Sequence, residues 1–196
     1  MPELRLGVLA IQGGFEAHCE VLGELGAEVA EVRLPADLEG LDGLVIPGGE
    51  STTISMGIES AGLEEPIRGL RDAGGTVFGT CAGMIVCDRE HLGLIDAGTT
   101  RNAFGRQLQS FEADLEIEGI GDEPLRAVFI RAPWVERCGE GVEVLATYEG
   151  YPVAIREGRV LACAFHPELT GDSRMHALFM AMTTGARERA HEEAET

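Results

Sequence analysis

Apolar and polar positions along the 196-residue chain fall into two regimes. In the first, short apolar runs alternate with segments of helical period. LRLGVLA at 4–10 reads as a buried strand; after a glycine turn, residues 15–25 place Ala17, Val21, Leu22 and Leu25 on one helix face. AEVAEVRL at 27–34 predicts a short strand, and LDGLVIPGG at 41–49 another that stops at Pro47-Gly48-Gly49. Helical stretches follow at about 51–60 and 63–73, and GTVFGT at 75–80 makes a fourth strand. Strand–helix alternation with short turns implies parallel pairing through right-handed crossovers, hence a doubly wound α/β sheet.

The second regime is a run of strand patterns: FEADLEIEG, LRAVFIRAP, VEVLATYEG, YPVAIREG and RVLACAFHP, with turns at Glu149-Gly150 and Glu157-Gly158. Such meanders pair antiparallel. A last helix over roughly 173–184 sets Met175, Leu178, Phe179 and Met182 on one face. Without a repeat, a low-complexity tract or a linker, the pattern predicts one domain over 1–186. An acidic tail, 187–196, is expected to be disordered.

Composition narrows the function. Apolar residues make up 44% and charged residues 25%, ordinary values for a soluble globular chain. The stretch 77–87 is far short of the ~20 apolar residues a membrane helix needs. MPELRLGVLAIQGG lacks a basic leader and runs straight into a strand, so no signal peptide and a cytoplasmic setting are expected. A net charge of −19 argues against a nucleic-acid groove, which needs a basic face. Five cysteines (Cys19, Cys81, Cys87, Cys138 and Cys163) with no CxxC pair argue against a zinc site or a disulfide framework.

One cysteine stands apart. In FGTCAGMIV, at 78–86, Cys81 lies between Gly79 and Gly83 where a strand pattern gives way to a helix. Gly-x-Cys-x-Gly in that context is a nucleophile elbow, whose glycines remove side chains that would collide in the sharp turn. A thiol at a helix start also feels a partial positive charge that favours thiolate. The plain alternative is a tight turn with a packed cysteine.

Among five histidines, His166 ends a strand and has Glu168 two residues on. In extended chain these project to one side, and Pro167 biases His166 toward that conformation. A carboxylate there selects the imidazole tautomer and leaves the other ring nitrogen for a nucleophile. His18, His91, His176 and His191 show no orienting carboxylate at useful spacing. An oxyanion needs donors. The Ala82 amide is one candidate; the PGGEST turn offers another, although alone it reads as an ordinary β-turn.

Taken in order, LAIQGGFEAH, GLVIPGGESTT, FGTCAGMI, HLGL, RNAFGRQLQSFEADL, VFIRAPWV and FHPELTGDSRMHALF resemble the class I, triad-type glutamine amidotransferases. More closely, they resemble the glutaminase subunits of pyridoxal 5′-phosphate synthase, over all but the acidic tail. The resemblance implies an open, mixed, mostly parallel sheet flanked by helices, flavodoxin-like, with antiparallel strands in the second half. It implies hydrolysis of L-glutamine to glutamate and ammonia without metal or cofactor. The ammonia then passes to a (β/α)8-barrel synthase subunit in a large hetero-oligomer. Position by position, it makes Cys81 the nucleophile, His166 the general acid/base and Glu168 its orienting partner. Gly49, Glu50 and Ser51 hold substrate, Gly49 and Ala82 form the oxyanion hole, and Arg101, Ile130 and Arg131 match glutamine-binding positions. Gln12 falls near the partner interface. One departure is CDRE before HLGL, where relatives carry a longer loop.

Two other classes compete: a cysteine hydrolase resembling the DJ-1/PfpI proteins, and a triad-bearing binding subunit without activity. The first draws its histidine from beside the cysteine or from a partner chain, unlike the distant His-x-Glu here.

All fifteen basic residues are arginine, and the acids are dispersed. A high-salt cytoplasm and a GC-rich genome favouring arginine codons both account for this. Under the first, thermal unfolding temperature rises with salt; full structure at low salt would exclude it.

Overall fold

The computed structural model describes residues 3–101, 103 and 110–194. In chain order the elements are β1 (Arg5–Leu9), α1 (Phe15–Glu24), β2 (Glu28–Val32), β3 (Gly43–Ile46), α2 (Ser51–Ala61), α3 (Glu64–Asp72), β4 (Thr76–Thr80) and α4 (Ala82–Cys87). Then come β5 (Ala97–Thr100), β6 (Ser110–Leu115), β7 (Leu125–Ile130), β8 (Trp134–Cys138), β9 (Glu143–Tyr148), β10 (Tyr151–Glu157), β11 (Val160–Cys163) and α5 (Arg174–Ala194). Short 3₁₀ turns lie at Pro35–Leu38 and Pro167–Leu169.

Seven strands form the main sheet in the order β2-β1-β3-β4-β11-β10-β9. The pairings from β2 through β11 are parallel, and β10 and β9 add an antiparallel edge. The meander therefore turns back into the sheet, because β11 lies parallel to β4 and carries the chain to the rim where β4 ends. Two predicted strands, β6 and β7, pair with each other in a separate antiparallel sheet. A further pair, β5 with β8, was not anticipated. AGTT and WVERC show no sustained alternation, so their pairing has no signal of period two.

Central strands β3, β4 and β11 are buried along their whole length, and β1 at every position but Arg5. That is what helices on both faces of a parallel sheet produce. Gly79 and Gly83 let α4 approach the sheet closely. A Cβ on Gly83 would stand 1.9 Å from the Ile46 carbonyl oxygen, and one on Gly79 2.5 Å from the Gly83 carbonyl oxygen. Hydrogen atoms at both positions let α4 lie directly on β3 and β4.

The small β6–β7 sheet is seated by aromatic rings. Phe129 on β7 stacks on Phe111 with centroids 4.6 Å apart and meets Phe165, just past β11, at 5.7 Å. β7 also receives the His166 amide on its Val128 carbonyl at 2.8 Å, so this sheet fixes the residue after Phe165.

The last helix runs from Arg174 to Ala194, well beyond residue 184 and into the stretch read as a free acidic tail. Its buried stripe includes Met175, His176, Phe179, Thr183 and Ala186. Leu178 and Met182 are only partly buried. At the surface, guanidinium–carboxylate pairs recur, as where Arg126 holds Asp114 at 2.7 Å and Glu112 at 3.2 Å. Such exposed pairs contribute little to stability.

Phe179 is fully buried, with its ring centroid 5.7 Å from that of Phe78 on β4. Phe179→Ala is expected to cost about 3–5 kcal/mol in chemical denaturation, against roughly 1 kcal/mol for the half-buried Leu178→Ala.

Candidate active site

Every parallel strand from β1 to β11 runs toward the same rim, and there the sheet carries its reactive side chains. Cys81 follows β4 as the N-cap of α4, with φ 50° and ψ −108°. A non-glycine residue at positive φ is strained, and here it turns the thiol out of the strand line. The Cys81 amide donates to the Cys163 carbonyl at 2.8 Å, so β11 pins the elbow. Sγ lies 3.7 Å from the Ile130 carbonyl oxygen at the end of β7.

His166 follows β11 with φ −105° and ψ 87°, outside the helical region as Pro167 requires. Glu168 is reached across a 3₁₀ turn rather than along extended chain, and its Oε1 accepts from His166 Nδ1 at 2.7 Å. That bond leaves Nε2 for the thiol side. Imidazole and thiol flank Gly48 from two directions: a Cβ there would lie 2.5 Å from His166 Cε1 and 3.2 Å from Cys81 Cβ. Burial opposes charge on His166, but the hydrogen bonds and charges of Cys81 and Glu168 outweigh it and raise its pKa to about 10. Burial likewise opposes charge on Glu168, and its bond to His166 wins, holding it below the ordinary carboxylate range.

A cavity of about 350 Å³ opens above these groups. Its lining includes Cys81, Ala82 and His166 together with Gly49, Glu50, Ser51, Arg101, Ile130 and Arg131. The site residues named from sequence thus meet around one space, with Glu168 behind His166. Glu50 has a second task. Its carboxylate caps α2, accepting from the Thr53 amide at 2.8 Å and the Thr52 amide at 3.1 Å, which lowers its pKa to about 2. Its own amide donates to Gln12 Oε1 at 2.7 Å. Arg101 reaches Thr52 Oγ1 at 2.9 Å, and Arg131 takes a left-handed φ of 48°. Residues 102 and 104–107 of RNAFGRQ lie outside the described residues.

Sequence reasoning passed over three buried polar groups. Asp88, immediately after α4, accepts from the Glu90 amide, from His91 Nδ1 and from the Thr99 amide and hydroxyl, and so ties the short CDRE turn to β5. His18 on α1 and His176 on α5 lie 2.8 Å apart, Nδ1 to Nε2, and His18 Nε2 stands 3.4 Å from Glu168 Oε2. His18 thus faces a carboxylate that sequence spacing hid. The available signal was its place one turn before Leu22 on the inward side of α1.

An elbow cysteine backed by His and Glu on a flavodoxin-like sheet is the arrangement of a glutamine amidotransferase. A solved structure titled crystal structure of glutamine amidotransferase superposes with a TM-score of 0.87 and 48% identity, covering 91% of this chain and 98% of that one. The chain belongs to the SNO glutamine amidotransferase family, whose profile matches residues 8–184. Relatives named pyridoxal 5′-phosphate synthase subunit PdxT include those of Frankia alni, 52% identical over 90% of this chain and 93% of the relative, and Pelotomaculum thermopropionicum, 54% over 90% and 94%. The Mycobacterium avium protein is 53% identical over 92% and 97%. A putative GMP synthase subunit from Thermoplasma acidophilum, 18% identical with a TM-score of 0.75, shares the fold.

Burial holds His18 at a pKa of about 4 and His176 at about 3, both below the ordinary 6.5. The unfolded chain therefore takes up these protons first on acidification. Their contribution to stability is fully present above pH 6.5 and lost as pH falls through about 4 and 3. Melting temperature should drop over that window, and the slope should flatten in His176→Leu.

Proposed function

We propose that the chain hydrolyses L-glutamine to L-glutamate and ammonia and hands the ammonia to the synthase subunit of a pyridoxal 5′-phosphate synthase. The observation that carries this reading is the Cys81–His166–Glu168 arrangement, with Cys81 and His166 lining a cavity of about 350 Å³ and Glu168 behind His166, in a chain about half identical to PdxT proteins.

His166 carries its proton at neutral pH, which leaves the sulfur facing an imidazolium. Sγ attacks the side-chain amide carbon, and the carbonyl oxygen becomes an oxyanion. The amides of Gly49 and Ala82 receive that oxygen. As the C–N bond breaks, His166 Nε2 gives its proton to the leaving nitrogen, and ammonia departs from a glutamyl thioester. Water then adds to the thioester, His166 takes its proton, and the C–S bond breaks to release glutamate. Glu168 keeps Nδ1 protonated throughout, so that Nε2 alone exchanges protons. Arg101 and Arg131 suit the α-carboxylate, and the Ile130 carbonyl and the Gly49–Ser51 turn suit the rest of the substrate. No step calls for a metal or a cofactor.

The partner in this reading is a (β/α)8-barrel synthase in a large hetero-oligomer, and the setting is the cytoplasm. Family membership removes the DJ-1/PfpI-like alternative. Since free ammonia is wasted, hydrolysis is slow in isolation and faster with the barrel.

Cys81→Ala should lower ammonia release by roughly a thousandfold or more while retaining affinity for the barrel subunit. A coupled glutamate assay with and without that subunit checks both points. Turnover in the variant, or equal turnover of the wild type alone and in complex, would count against the reading.

A further inference from the structure

Behind the proposed triad a second line of polar groups runs into the core. Glu168 Oε1 is engaged by His166, whereas Oε2 is buried with no partner at full hydrogen-bond geometry among the described residues. The group facing it is His18 Nε2, 3.4 Å away. The same nitrogen lies 3.1 Å from Thr80 Oγ1, which in turn accepts the Gly48 amide at 3.1 Å. On its other side, His18 Nδ1 meets His176 Nε2 at 2.8 Å, and both imidazoles are fully buried.

The tautomers follow from what is left over. His176 Nδ1 is buried without a partner among the described residues. If His18 donated from Nδ1, then His176 would carry its proton on that orphan nitrogen, and His18 would turn a lone pair toward a carboxylate. A buried N–H without an acceptor is destabilising. The reverse assignment leaves only a bare ring nitrogen unpartnered. His176 Nε2–H then donates to His18 Nδ1, and the single proton of His18 sits on Nε2, between Thr80 Oγ1 and Glu168 Oε2.

We propose that His18 is a positioning residue for glutamine hydrolysis: with its tautomer set by His176, it steadies the inner oxygen of Glu168 and, through Thr80, joins that carboxylate to the Gly48 turn. Catalytic consequences rest on the glutaminase reading; the hold on Glu168 does not. Removing the donor leaves one carboxylate oxygen buried and bare, so Glu168 takes up a proton or swings away, and either response weakens its support of His166. The charged or titratable groups around His18 are Glu168, His166 and His176.

The test pairs His18→Leu, which fills the space without a donor, with His18→Gln, whose amide places an N–H near the Nε2 position. In complex with the synthase subunit, His18→Leu should lose roughly tenfold or more in kcat with little change in KM, and His18→Gln should recover most of it. Independently of substrate, the His166 titration, followed by NMR through its Cε1 proton, should fall by about one unit in His18→Leu and stay near the parent value in His18→Gln. An unmoved His166 titration in a folded His18→Leu protein overturns the proposal. So do equal kcat losses in both variants that merely track a lowered melting temperature. If the wild-type complex fails to release ammonia from glutamine, the glutaminase reading falls, and the His166 titration still decides the role of His18.

Discussion

A carboxylate withdrawn from water demands an answer on both of its oxygens, and the surroundings of Glu168 are organised by that demand. Its residue is only 9% exposed. One oxygen holds His166 Nδ1 at 2.7 Å; the other looks inward to His18. Meeting this requirement draws in four elements remote in sequence. β11 delivers the histidine and the glutamate, β4 brings Thr80 and Cys81, α1 brings His18 and α5 brings His176. The same Thr80 hydroxyl fixes the Gly48 amide, so the turn lining the cavity and the base behind it share one anchor. An apolar side chain in place of His18 would pack as well, yet it would leave a buried charge half unanswered.

The elbow depends on a second constraint, the near-contact of α4 with the sheet. Because Gly83 carries no methyl group to overlap the Ile46 carbonyl, the helix can begin immediately after Cys81, and the chain accepts a strained φ there. Strain of this kind persists only where neighbours over-determine it. Here they include the Cys163 carbonyl holding the Cys81 amide and the hydrogen bond from the Met84 amide to the Cys81 carbonyl.

What could be read from the sequence was what the chain writes locally. The parallel half, the elbow and the His-x-Glu pair each depend on residues within a few positions of one another, and their glycines and proline carry direct backbone meaning. The substrate roles of Glu50, Ser51, Arg101, Ile130 and Arg131 were reached through family motifs rather than spacing. Glu50 shows the limit: it was named for substrate, and its carboxylate is committed to the start of α2. His18 and His176 were passed over because their contact spans 158 residues. Each sits on an apolar helix stripe, where a histidine reads as filler. β5 and β8 escaped because cross-strand contact, not alternation, makes them strands.

The ion pairs that clothe the surface are made by guanidinium groups, and the chain has no lysine at all. A guanidinium keeps its proton and does not form a Schiff base with an aldehyde, whereas a lysine amine does so readily. In the proposed assembly the neighbouring subunit releases an aldehyde, pyridoxal 5′-phosphate. Side chains of this subunit carry no primary amine that could form a Schiff base with that product.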